Sequence, residues 1–143
     1  MKRKILGLLM AGIMVISAVP STVYAANTED EYWSFYVDKS VMKTPAREKE
    51  NSSSVYVNLQ KAPGGYVQAA AEGYVFIDGE YAWYNMTWNR IAVLPSVGKW
   101  RIRQTIYENG GRQAKLMIWK YAEKGIASGV WSPDCAGTYP YLN

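Results

Sequence analysis

The sequence predicts an all-β fold: a single-domain antiparallel β-sandwich of about seven strands, with a small barrel as second choice, after an N-terminal signal peptide. Short runs rich in Val, Ile, Tyr and Trp recur through residues 32–132, the composition of a pleated, half-buried surface. Turn signals built on Gly, Asn and Asp separate those runs. After residue 25 no apolar pattern repeats at the 3.6-residue helical period. Strands of this kind around one core close most simply as two packed sheets.

The chain opens on "MKRK", and an unbroken apolar run follows from Ile5 to Val19. Pro20 ends that run, and Val23 and Ala25 supply the small residues of a cleavage site. Basic, apolar and small-residue regions in that order mark a Sec signal peptide over residues 1–25, cut after Ala25. The apolar core is shorter than the ~20 residues that span a bilayer, which argues against an anchor. Without Lys2, Arg3 and Lys4 the basic residues fall from 16 to 13 against 12 acidic ones, so the mature net charge is near +1. That balance gives no support to nucleic-acid binding. The charge is uneven, however: residues 26–80 hold 5 basic and 9 acidic side chains, and residues 81–143 hold 8 and 3. The remaining 118 residues form one domain, a size that buries about 65% of its unfolded surface. The single cysteine, Cys135, cannot form an intramolecular disulfide.

Element by element, "ANTEDE" (26–31) reads as a flexible acidic N-terminus and residues 32–143 as the β-rich domain. "YWSFYV" (32–37) is a strand by its aromatic and β-branched content. "TPAREKEN" (44–51) offers Thr44 as an N-cap and Pro45 at the first helical position, but it lacks an apolar stripe and reads as a loop or single turn. "SVYVNLQ" (54–60) alternates, with Val55, Val57 and Leu59 on one face. After the "PGG" turn, "YVQAAAEGYVFI" (66–77) is one long or bulged strand, and "DGE" (78–80) turns the chain again. "YAWYNMTW" then sets Tyr81, Trp83 and Asn85 against Ala82, Tyr84 and Met86. "KWRIRQTIY" (99–107) alternates strictly, "ENGG" offers an Asn-Gly hairpin turn, and "QAKLMIWK" returns with Ala114, Leu116 and Ile118 inward.

Chemistry has little to stand on. The chain contains no histidine, which excludes Ser-His-Asp and Cys-His catalysis and histidine metal sites. A carboxylate pair of the kind glycoside hydrolases use would come from Glu72, Asp78, Glu80, Glu108 and Asp134. Each has an ordinary place at a turn or on a solvated strand, so no catalytic residue, cofactor or metal is expected. Binding has more support. Trp83 and Tyr81 lie in a dense aromatic run, suited to stacking on sugar rings or to a protein interface; core packing is the ordinary use of Trp83 and Trp88. Arg101 and Arg103 share one strand face, and the hairpin would bring Lys115 beside them. That cluster suits an anionic wall polymer or lipid headgroups, although edge charge commonly serves to prevent strand pairing.

The C-terminal "GVWSPDCAGTYPYLN" (129–143) combines rigid and aromatic residues. Trp131 is expected in the core, Pro133 in a turn, and Asp134 accepting nearby N–H groups. Tyr139, Pro140 and Tyr141 would then lie extended against the domain. The segment reads as a structural lock, with a binding loop or a loose end as alternatives.

Three segments, "TPAREKENSSSVYVN", "RQTIYENGGRQAKLMI" and this C-terminal stretch, are similar to those of a family of small secreted Gram-positive bacterial proteins built on a domain of unknown function. The resemblance implies export, a cell-envelope setting and a β-rich fold, and it brings a bacteriocin-associated role into view. Cys135 stands where the family has serine, and Gly111 where an aromatic is expected, which argues against catalysis at either position. The expectation is a secreted, non-enzymatic domain binding cell-wall polymer or an envelope protein, with no nucleic acid and no membrane span in the mature protein. The alternative is a bacteriocin-like toxin or its accessory or immunity factor.

Overall fold

The computed structural model describes residues 26–143; the expected signal peptide, residues 1–25, lies outside the described residues. Two antiparallel sheets pack as a β-sandwich. Strands β1 (Glu31–Val37), β4 (Val55–Lys61), β8 (Gly98–Ile102) and β10 (Gly125–Ser132) form the smaller sheet, in the order β1-β10-β4-β8. The larger sheet holds β2 (Met42–Lys43), β3 (Arg47–Glu48), β5 (Val67–Ile77), β6 (Glu80–Asn85), β7 (Ala92–Leu94) and β9 (Gln113–Lys120). Here β5 and β9 pair at the centre, β2 and β3 share the free side of β9, and β6 and β7 share the free side of β5. The strand number exceeds the expected seven because β2, β3 and β7 are only two or three residues long, too short to show a period. Among the described residues, no helix is long and apolar enough to cross a membrane.

Period-two alternation accounts for the core. Val55, Val57 and Leu59 of β4 are fully buried, and β10 sets Trp131 and Gly129 opposite Val57 and Leu59. From the larger sheet, Val67, Ala69, Ala71 and Val75 of β5 and Ala114, Leu116 and Ile118 of β9 join the same cluster as Trp33, Ile102, Ile106 and Trp131. Each large aliphatic side chain removed from water contributes about 1.5–3 kcal/mol. Gly129 is required by a close approach. A Cβ there would overlap the Asn58 carbonyl oxygen, at the point where β10 steps from Lys61 to Leu59 of β4 and the register shifts.

The hairpin expected over residues 99–120 is corrected. The strand expected over residues 99–107 ends at Ile102, and "ENGG" closes no hairpin. β8 pairs with β4 in one sheet and β9 with β5 in the other, so the connection crosses the sandwich. Ile106 is fully buried in that crossing. Gln104 Oε1 accepts the Ile106 N–H at 2.7 Å, and the Ile106 carbonyl accepts the Gly111 N–H at 2.9 Å. The connection meets its hydrogen bonds partly within itself and partly from the segment after β6: the Thr105 N–H donates to the Met86 carbonyl at 3.1 Å, and the Arg103 carbonyl accepts the Trp88 N–H at 3.0 Å. In the N-terminal segment, the Asn27 N–H donates to Asp134 Oδ2 at 2.9 Å and its Nδ2 donates to the Glu48 carbonyl at 2.8 Å.

Candidate functional site

A continuous group of exposed aromatics covers the outer face of the β5–β6 hairpin. Asp78 and Gly79 adopt positive φ angles of 54° and 90°, as a tight two-residue hairpin turn demands. The turn sets the register Phe76↔Tyr81, Tyr74↔Trp83 and Glu72↔Asn85. Cross-strand partners share a face, so these side chains project outward together while Val75 and Tyr84 pack on the core. Tyr74 stacks on Tyr81 at 5.6 Å with an interplanar angle of 21°, and its ring lies 5.4 Å from that of Trp83. Phe76 and Tyr81 are 5.0 Å apart. Tyr74, Phe76 and Tyr81 are 39%, 55% and 61% exposed, too open for a completed core.

Charged groups edge the rings. Lys115 of β9 is paired with Glu72, and its Nζ sits 3.9 Å from the centre of the Trp83 ring, within cation–π range. Lys43 Nζ donates to Glu72 Oε1 at 2.7 Å. The other carboxylate oxygen, Glu72 Oε2, is buried with no hydrogen-bond partner. The face therefore presents flat apolar rings beside the Lys115 ammonium group, with the Glu72 carboxylate buried beneath, and rings next to a hydrogen-bond donor can meet a sugar's C–H faces and hydroxyls at once.

The expected binding residues divide between the two sheets. Tyr81, Trp83 and Lys115 come together, joined by Tyr74 and Phe76, which the sequence reading left unassigned. Their signal was present in "GYVFI", where an apolar residue occupies both faces of the strand. Arg101 and Arg103 are not beside Lys115, because the crossing that replaces the hairpin carries β9 into the other sheet. Their guanidinium carbons lie 3.9 and 4.0 Å from the centre of the Tyr141 ring. Core packing of Trp83 and Trp88 is also corrected: Trp83 faces outward, and Trp88 is 52% exposed beyond the end of β6.

Where β10 ends, the residues expected to form a lock meet a partner the sequence concealed. Trp131 is fully buried, with the Arg47 guanidinium carbon 5.6 Å from its ring centre. Asp134 and Lys49 are both completely buried and bond at 2.7 Å. Lys49 Nζ also donates to the carbonyls of Ser53 at 2.7 Å and Pro133 at 2.8 Å. Asp134 Oδ2 accepts the N–H groups of Asn27 and Glu50, both at 2.9 Å. Burial lowers the pKa of Lys49, and the ion pair with Asp134 opposes that shift. Cys135 is half-buried; its N–H donates to Ser53 Oγ at 2.9 Å, and burial raises the thiol pKa.

The remaining carboxylate candidates do not converge. Glu72 is engaged by Lys43 and Asp134 by Lys49, while Asp78, Glu80 and Glu108 are exposed. Among the described residues, no group of three or more His, Cys, Asp or Glu side chains is placed to hold a metal ion.

Residues 21–135 match the model of the family described as "Protein of unknown function (DUF2712)". No curated protein and no solved structure matches the chain.

Proposed function

The chain belongs to the DUF2712 family, and from that premise we propose that it is a secreted, non-enzymatic β-domain that binds glycan polymer of a Gram-positive cell envelope. The carrying observation is the contiguous set Tyr74, Phe76, Tyr81 and Trp83 on the outer face of the larger sheet, edged by Lys115 and Glu72. Protein interfaces are depleted in lysine, whereas Lys115 stands directly over the Trp83 ring. The Lys115 ammonium group beside open rings suits a ligand that alternates apolar faces with hydroxyls. The charged N-terminal end and apolar run of residues 1–25 support delivery to the envelope.

Sedimentation with purified, insoluble cell walls tests this reading. The mature chain should pellet with the walls, and Trp83→Ala with Tyr81→Ala should weaken binding about tenfold, as expected for two lost stacking contacts. Because both rings lie outside the core, the melting temperature should hardly move. A parent chain that stays in the supernatant would end the proposal. Clearing of a lawn of a neighbouring strain would favour the bacteriocin-like alternative, and release of soluble sugar would favour a hydrolase.

A further inference from the structure

The smaller sheet carries a second, separate surface. Lys99 and Arg101 alternate along the outer face of β8. Residues two apart on a strand lie roughly 6.6 Å from each other along it, so Lys99 and Arg101 stand one such step apart, and Arg103 follows just past the strand's end. Among the described residues, none of the three enters an ion pair; the bridges are Lys43–Glu72, Arg47–Glu31 and Lys49–Asp134. This line also lies within the more basic half of the chain.

The C-terminal segment holds the line in place. The Arg101 N–H donates to the Pro140 carbonyl at 2.8 Å, and the Leu142 N–H returns to the Arg101 carbonyl at 3.0 Å. Arg101 Nε donates to the Tyr139 carbonyl. Asn143 brackets Arg103, accepting its N–H at 2.8 Å and donating to its carbonyl at 3.0 Å. Both guanidinium groups lie against the Tyr141 ring. Beyond Arg103 a cleft of about 400 Å³ is lined by Ser52, Ser54, Thr105 and Trp88, with Glu108 as its one carboxylate.

We propose that this strip binds a linear, phosphodiester-linked polyanion of polyol-phosphate type, with Lys99, Arg101 and Arg103 each meeting a successive phosphate. Guanidinium groups already ordered on an aromatic ring lose little entropy on pairing with phosphate. A linear row on a rigid strand fits a repeating chain better than the single headgroups of a bilayer. Nucleic acid is disfavoured because Tyr139 packs on Tyr56 at 5.0 Å and Tyr141 already holds the two arginines, so the strip offers no row of open rings on which successive bases could stack. This surface is on the smaller sheet, so the inference stands or falls separately from the glycan reading.

The test is calorimetric titration of the mature chain with a synthetic glycerol-phosphate oligomer, in parallel with phosphatidylglycerol vesicles and a single-stranded oligonucleotide. Affinity for the oligomer should fall about twenty- to fortyfold between 50 and 200 mM salt, as neutralisation of roughly three phosphates requires. Lys99→Gln with Arg103→Gln should weaken it at least tenfold. That pair leaves the Arg101–Tyr139 bond intact, and an unchanged melting temperature would verify the fold. The same variant should still sediment with glycan, whereas Trp83→Ala should keep its affinity for the oligomer. Equal affinity of variant and parent, no binding by the parent, or tighter binding of vesicles or oligonucleotide than of the oligomer would each overturn the proposal.

Discussion

Lys49 directs its ammonium group to Asp134, Ser53 and Pro133 and leaves no donor unused. Its surroundings in sequence, "AREKE", resemble any solvated charge run, and its partner lies 85 residues away. Nothing local could distinguish it from an exposed lysine, so the hub was legible only from its other end, at Asp134. The two partners are not equivalent. Asp134 also accepts the N–H groups of Asn27 and Glu50, so its removal leaves a buried ammonium and two orphaned donors. Asp134→Ala should therefore destabilise the domain by about 3–5 kcal/mol, the usual cost of breaking a buried pair. Lys49→Met should cost less, because the carboxylate keeps its backbone donors. Urea denaturation of the two variants decides this, and equal losses would contradict the asymmetry. Gly111 is explained at the same scale. A Cβ there would lie 2.7 Å from both Ile106 Cγ2 and Val75 Cγ1, so this chain has no room for the aromatic residue that the family resemblance led us to expect.

The strand faces were readable because period two is local. Val55, Val57 and Leu59 turned inward as alternation required, and the Asp78-Gly79 turn sits where its residues announced it. What alternation cannot state is which sheet a strand joins. Asn109-Gly110 signals a bend, but the crossing is decided by Ile106 filling the core between the sheets. The C-terminal segment is a comparable case: its rigidity was visible in Pro140 and its aromatics, while its seat on β8 depends on a parallel bridge between Arg101 and Tyr141. That seat covers Tyr56, which burial pushes up to a pKa of about 12. A raised folded-state value means the phenol's contribution to stability is fully present below about pH 10 and is lost as pH rises through 12. Deleting residues 138–143 should uncover the ring, and phenolate absorbance should show one tyrosine moving from about 12 toward the ordinary value near 10. Two lost backbone hydrogen bonds and one aromatic contact should also cost about 2–4 kcal/mol. A Tyr56→Phe control identifies the group, and an unshifted titration in the deleted chain would mean the segment does not cover it.

At the scale of the whole molecule, the ends of the chain close the structure. β1 pairs only with β10, and β10 lies between β1 and β4. The Asn27–Asp134 hydrogen bond joins residues 107 positions apart. No disulfide secures this arrangement, since Cys135 is the single cysteine and is free. The smaller sheet therefore cannot assemble until the last strand is available, and the larger sheet cannot bury its inner face without it. Such an order suits the export route expected from residues 1–25, because the chain would stay unfolded until its C-terminal strand emerged. Sheet topologies built on pairings this distant fold in milliseconds to seconds. We expect the mature chain to refold from urea with one exponential phase in that range, and tryptophan fluorescence and circular dichroism should follow the same course. A chain ending at Lys120 lacks β10 and Asp134, and it should show no near-ultraviolet dichroism and no cooperative melting. A folded fragment, or refolding completed within microseconds, would show instead that the larger sheet forms a stable unit without its closing strand.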